Sequence, residues 1–193
     1  IEVVSSHDAL GRVTAEPIFA RKSVPHYHGA AMDGIAILAR DTFGASDSRP
    51  LRMVLGDTAF EVDTGDPLPE NTDAVIMVEF VERVSEKEVE IRSAAYPWQH
   101  VRKVGEDIVA GELLLPQNHK LRPPDIGALL AAGVLQVTVY AAPRVWIQPT
   151  GTELIPAARA AEAALGQIVE FNGTILAGVV RGCGGIPVLQ EII

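Results

Sequence analysis

The groups in this sequence best suited to chemistry are acidic and hydroxyl side chains in breaker-rich stretches. Asp33, in Ala31-Met32-Asp33-Gly34, stands at a turn ahead of an apolar run. Thr64 and Asp66 lie in Asp63-Thr64-Gly65-Asp66-Pro67-Leu68-Pro69, too rich in Gly and Pro to be regular. Glu106 and Asp107 share a turn after Gly105, and Glu153 follows Thr150-Gly151-Thr152. Such oxygen donors suit a hard cation or proton transfer. Each also suits a plain turn or helix cap. Glu153 is the most informative, because it follows a strand-like run and ligands of open α/β sheets gather at strand carboxyl ends. His26 and His28 have no third ligand at metal spacing and read as surface or packing residues. The chain contains no Gly-rich phosphate loop with a following lysine, no G-x-S-x-G and no paired Cys-x-x-Cys.

The elements that must position these groups form three segments. Near the start, Ser5 or Ser6 can cap a short helix that Gly11 closes, and Arg12 to Ala20 reads as extended. A matching piece returns later: Trp98 to Val104 and Leu113-Leu114-Leu115 as strands, then a helix opened by Pro123-Pro124. Ile126, Leu129 and Leu130 give that helix one apolar stripe, and Gly133 ends it. Val137 and Val139 then alternate with polar residues in a strand. Between the two pieces lies a β-rich block. Its strands are expected over Gly34 to Ala39, Leu51 to Leu55 and Ala74 to Glu79, with a hairpin from Val81 to Ile91 turning at Ser85-Glu86-Lys87. The last segment has an apolar strand at Val145-Trp146-Ile147, a helix over Ile168 to Val180 and a strand over Val188 to Ile193. This is the order of a βαβ unit.

The expected fold class is therefore mixed and multidomain. A β-rich domain, residues 1–23 plus 98–141, carries an inserted β-rich domain at 24–97. A parallel α/β domain begins at 142–193. Two parallel strands and one helix cannot cover both faces of such a sheet, so the chain reads as a piece of a longer protein or as completed in an assembly.

Net charge is −9, and residues 57–90 alone hold eleven acids against Arg83 and Lys87. No basic stripe is left to displace counterions, so a nucleic-acid partner is not expected. The longest nearly apolar run, Ile126 to Leu135, is far shorter than the ~20 residues of a membrane helix, so no membrane association is expected. The single cysteine, Cys183, cannot form an internal disulfide, which fits a reducing, cytoplasmic location.

Four motifs then stand in register: Met32-Asp33-Gly34 before an apolar strand; Thr64-Gly65-Asp66-Pro67-Leu68-Pro69 with Asp73-Ala74-Val75; Gly105-Glu106-Asp107-Ile108; and Pro149-Thr150-Gly151-Thr152-Glu153-Leu154. In this order, and across the whole chain, the sequence resembles the MoeA family, which includes the gephyrin and plant E-domain molybdotransferases. The resemblance implies insertion of molybdate into adenylylated molybdopterin with Mg²⁺-dependent cleavage of the adenylate, carried out by an elongated homodimer. It implies a cleft between the α/β domain of one subunit and the inserted block of its partner. By motif, the catalytic set would be Asp33, Thr64, Asp107 and Glu153. Glu153 would also hold the metal, and Asp66, Thr150, Gly151 and Asn172 would contact the pterin substrate.

The chain also departs from that family's pattern. Tyr27-His28-Gly29-Ala30 stands where an aromatic-Asp-Asn-Ser run is usual, Thr152 where Asp is common, and Phe171-Asn172-Gly173-Thr174 where the helix opening is aromatic-Asp-Ser-Asn. The family's Ser-Gly-Gly loop, Pro-Gly-Lys-Pro segment and C-terminal β domain have no counterpart in these 193 residues. The expectation is a molybdotransferase portion that is inactive alone. The alternative is a non-catalytic binding or regulatory module on the same scaffold, fused to another domain.

Overall fold

The computed structural model describes all 193 residues, in a β-rich fold with two α-helices. They divide into two compact units. The first unit comprises residues 1–18, 115–130 and 135–193, and the second comprises 19–114 and 131–134.

In the first unit the strand Glu2–Ser5 pairs antiparallel with Gln136–Val139. The expected opening helix is a single 3₁₀ turn, Ser6–Asp8, with the Ser5 hydroxyl accepting from the His7 N–H. It stops because the chain turns back at Ala9, whose N–H bonds the Ser6 carbonyl, and Gly11 takes φ +77°. Helix α1 (Pro123–Ala131) buries Leu129 and is anchored at its first turn by Asp125. The Asp125 carboxylate accepts from the Arg122 backbone N–H at 2.8 Å and Arg122 Nε at 3.0 Å, and lies 2.7 Å from His119 Nε2.

The strand Arg144–Ile147 runs parallel to Ile186–Leu189, and helix α2 (Asn172–Gly182) lies between them in the chain. A second parallel pair joins Leu154–Ile155 to Ile168–Val169. The helix expected from Ile168 therefore begins only at Asn172. The N–H groups of Ile168 and Glu170 are taken by the Glu153 and Ile155 carbonyls, and the Glu170 carboxylate caps the new start by accepting from Gly173 N–H at 2.7 Å.

The second unit is built on two three-stranded sheets. In one, Gly34–Ile37 is flanked antiparallel by Ala59–Val62 and Ala74–Met77. In the other, Glu88–Ile91 is flanked by Leu51–Val54 and Val81–Arg83. Ile35, Ile37, Ala59, Ala74 and Ile76 pack with Met53, Val89 and Ile91 of the second sheet. On the opposite face Ala36, Val62 and Val75 pack with Ala30. A sheet buried on both sides needs continuous apolar strands, which is why Gly34–Ile37 and Ala74–Met77 read so clearly. The strand Ala59–Val62 was not expected, since four residues with Glu61 among them carry little pattern. Trp98 to Val104 is strand only at Val101–Arg102, because Trp98 (φ +67°) and His100 (φ +51°) break the extended path.

Candidate functional site

Sheet register places the first group of candidates. Gly34 pairs with Val62, so the residue before one strand and those after the other emerge at the same sheet end. There the Asp33 carboxylate Oδ1 accepts from the Thr64 backbone N–H at 2.6 Å and from the Thr64 hydroxyl at 2.7 Å. These two donors, the hydroxyl first, hold the Asp33 carboxyl below the usual carboxylate range. Oδ2 takes neither bond, and the residue is exposed. Gly34 lets the adjacent strand Ala74–Met77 lie close beside it: a Cβ there would stand 2.0 Å from the Ile76 carbonyl oxygen.

The loop that carries Thr64 is tied down throughout. Asp66 Oδ2 accepts from Asp63 N–H at 3.0 Å, and Gly65 at φ +95° sends its N–H to the Ala30 carbonyl. Asp33, Glu61, Asp63 and Asp66 line an open groove of about 460 Å³ together with Val78, Val81 and Val89. Its one cation, Arg83, is engaged by Glu61 at 2.7 Å. The groove thus combines acidic and apolar lining.

Asp107 belongs to the same unit but is differently engaged. Arg102 Nη2 donates to both of its carboxylate oxygens, at 2.8 and 2.7 Å, and Glu106 lies 3.7 Å from the same guanidinium. Donating to Asp107 raises the Arg102 pKa above its already high ordinary value.

Thr150, Gly151 and Glu153 lie in the first unit, on the loop after Arg144–Ile147. Gly151 N–H donates to the Ile193 carbonyl and Leu154 N–H returns to the Gly151 carbonyl, so the loop folds tightly. The Glu153 carboxylate lies over Gly151, where a Cβ would meet both of its oxygens at 2.8 Å. Glu153 bonds the protein through its backbone only, so among Asp33, Asp66, Asp107 and Glu153 it alone keeps both carboxylate oxygens uncommitted. Asn172 opens α2 and is exposed; Glu170 does the capping instead. An open groove of about 640 Å³ lies at the carboxyl ends of the parallel strands, with Pro149, Leu154, Glu170, Thr174 and Leu189 on its walls.

The structure therefore joins Asp33 to Thr64, keeps Asp66 in the same loop, binds Asp107 to Arg102, and groups Thr150, Gly151 and Glu153 on one loop. Sequence reasoning did not single out Arg102 or Glu170. Both are ordinary by type and spacing, and only pairing geometry distinguishes them. No group of three or more His, Cys, Asp or Glu side chains is arranged to hold a metal ion. A full protein cage for Mg²⁺ is absent from the donor set. What fits is the sparser mode in which one carboxylate acts together with water and substrate phosphate, and Glu153 offers that.

No helix is long and apolar enough to cross a membrane. The family model described as the MoeA N-terminal region (domain I and II) matches residues 1–133. Molybdopterin molybdenumtransferase 2 of Mycobacterium tuberculosis is 32% identical over 195 residues, covering 93% of this chain and 47% of that protein. The molybdopterin molybdenumtransferase of a Nostoc species is 31% identical over 207 residues, covering 100% of this chain and 47% of that protein. A crystal structure of the molybdopterin biosynthesis moeA protein from Pyrococcus horikoshii superposes with a TM-score of 0.90 at 34% identity, covering 100% of this chain and 54% of the other. The chain spans about half the length of these relatives.

Proposed function

The chain belongs to the MoeA N-terminal family, and on that premise we propose that it serves molybdenum cofactor biosynthesis as part of a molybdopterin molybdotransferase. The substrates would be molybdate and adenylylated molybdopterin, and the working form a cytoplasmic homodimer. The observation that carries this reading is the Asp33–Thr64 pair, which joins two of the four family motifs at one sheet end.

The geometry separates the roles of the acids. Thr64 lowers the Asp33 pKa and so favours its ionised form, which suits Asp33 to act as a fixed negative acceptor that orients a donor. Asp107 is neutralised by Arg102 and acts as a positioned polar group. Glu153 keeps its oxygens uncommitted, which suits it to accept a proton or to contact a cation. Bound Mg²⁺ would supply charge neutralisation for the substrate's phosphates, and Glu153 is the residue that would hold it.

Purified full-length protein, incubated with adenylylated molybdopterin and molybdate, is expected to release AMP and load molybdenum. Glu153→Gln should lower the rate by ~10²–10⁴ while leaving the fold intact. The 193 residues alone are expected to show no turnover. A full-length protein that stays folded but neither releases AMP nor loads molybdenum would instead support the non-catalytic module. That second reading rests on His28-Gly29-Ala30 standing where the family's Asp-Asn-Ser run is usual, and on Thr152 where Asp is common.

A further inference from the structure

The segment before Asp33 touches both loops that carry candidate residues of the second unit. The His28 carbonyl accepts from Leu68 N–H at 2.8 Å, and the Ala30 carbonyl accepts from Gly65 N–H at 2.9 Å. The Pro25 and Val24 carbonyls accept from the Gly105 and Asp107 N–H groups, each at 2.9 Å. Two successive side chains then divide between the loops. The Tyr27 hydroxyl donates to the Gly65 carbonyl at 2.9 Å, next to Thr64. His28 Nδ1 accepts from Val104 N–H at 3.1 Å, at the entrance to the Gly105–Asp107 turn. The His28 ring lies 4.8 Å from the Trp98 ring, and Lys103 Nζ is 5.2 Å from the same indole.

We propose that Tyr27 and His28 form a positioning clamp: Tyr27 fixes the loop bearing Thr64, and His28 fixes the turn bearing Asp107. The inference rests on the functional reading above and gives a purpose to the departure from the family's aromatic-Asp pattern. Both act through the loops, to whose backbone they bond. His28 does so as an acceptor at Nδ1, with its proton on Nε2, a tautomer that the Val104 N–H dictates. A purely packing histidine would need only its ring against Trp98.

Two substitutions separate these roles. His28→Phe keeps a ring beside Trp98 and removes the acceptor. His28→Asn gives up the ring and keeps an acceptor at the δ position. Hydrogen exchange at the Val104 amide and steady-state insertion kinetics are measured on the full-length protein. The clamp predicts that His28→Phe speeds Val104 exchange about 10-fold, the loss of one net hydrogen bond, and lowers kcat with KM little changed. His28→Asn should return both to within about threefold of wild type. Unchanged Val104 protection in His28→Phe overturns the clamp, as does a His28→Asn variant no better than Phe. Wild-type protein without insertion activity would remove the functional reading, while the exchange data would still decide the clamp.

Discussion

One oxygen of Asp33 receives both the backbone N–H and the hydroxyl of Thr64, at 2.6 and 2.7 Å, although the two residues are 31 positions apart in the chain. The contact follows from the antiparallel register of Gly34–Ile37 with Ala59–Val62. It biases Asp33 towards its ionised form as well as holding its place, because both donors favour the carboxylate over the acid.

Thr64→Val keeps the N–H donor and deletes the hydroxyl. The Asp33 titration midpoint, followed by carboxyl NMR, should then rise towards the ordinary carboxylate value of about 4. In wild type the midpoint is depressed, so the contact stabilises the fold above the unfolded-state pKa and loses that contribution as pH falls through the folded one. An unmoved midpoint would show that the hydroxyl is not the main cause.

Gly34→Ala should be among the most damaging single-methyl changes in the second unit. The added carbon would stand 2.0 Å from the Ile76 carbonyl oxygen, which is backbone and cannot swing aside. Spreading the central strand pair is expected to cost about 3 kcal/mol, seen as a lower urea midpoint at unchanged m-value. The displaced strand end should also break the Asp33–Thr64 contact, so the NMR shift of the preceding prediction reappears here.

Asp125 offers a separate test, because it stabilises the first unit without any tie to the proposed chemistry. It is 6% exposed and takes charge-assisted hydrogen bonds from Arg122, with His119 alongside. Arg122 leads in driving its pKa far below the carboxylate range. Asp125→Ala should cost about 2–3 kcal/mol at pH 7. Because the folded pKa is depressed, the wild-type advantage is full above the unfolded value of about 3.9 and shrinks as pH drops below it. The stability gap measured by urea titration should therefore be smaller at pH 3 than at pH 7 without closing, since folded Asp125 stays ionised at pH 3; an unchanged gap would mean that the carboxylate's charge is not what matters.

Much of this protein is legible in its sequence. The apolar runs expected over Gly34 to Ala39 and Ala74 to Glu79 are strand as far as Ile37 and Met77, before 3₁₀ turns take over. These runs, the hairpin at Ser85-Glu86-Lys87 and the helix opened by Pro123-Pro124 are local events, set by side-chain hydrophobicity and by the limited φ choices of Pro. The motifs around Asp33, Thr64, Asp107 and Glu153 were likewise visible as breakers and acids in sequence. What tertiary structure decided is how each acid is used: Asp33 by Thr64, Asp107 by Arg102, and Glu153 left with both oxygens free. It also decided that the helix expected from Ile168 starts four residues later, and that His28 spends its ring nitrogen on Val104. Hydrogen-bond partners such as Asp33 and Thr64, or His28 and Val104, are far apart in the chain. Only sheet register and loop closure bring them within 3 Å or so, and no local pattern of residue types encodes that distance.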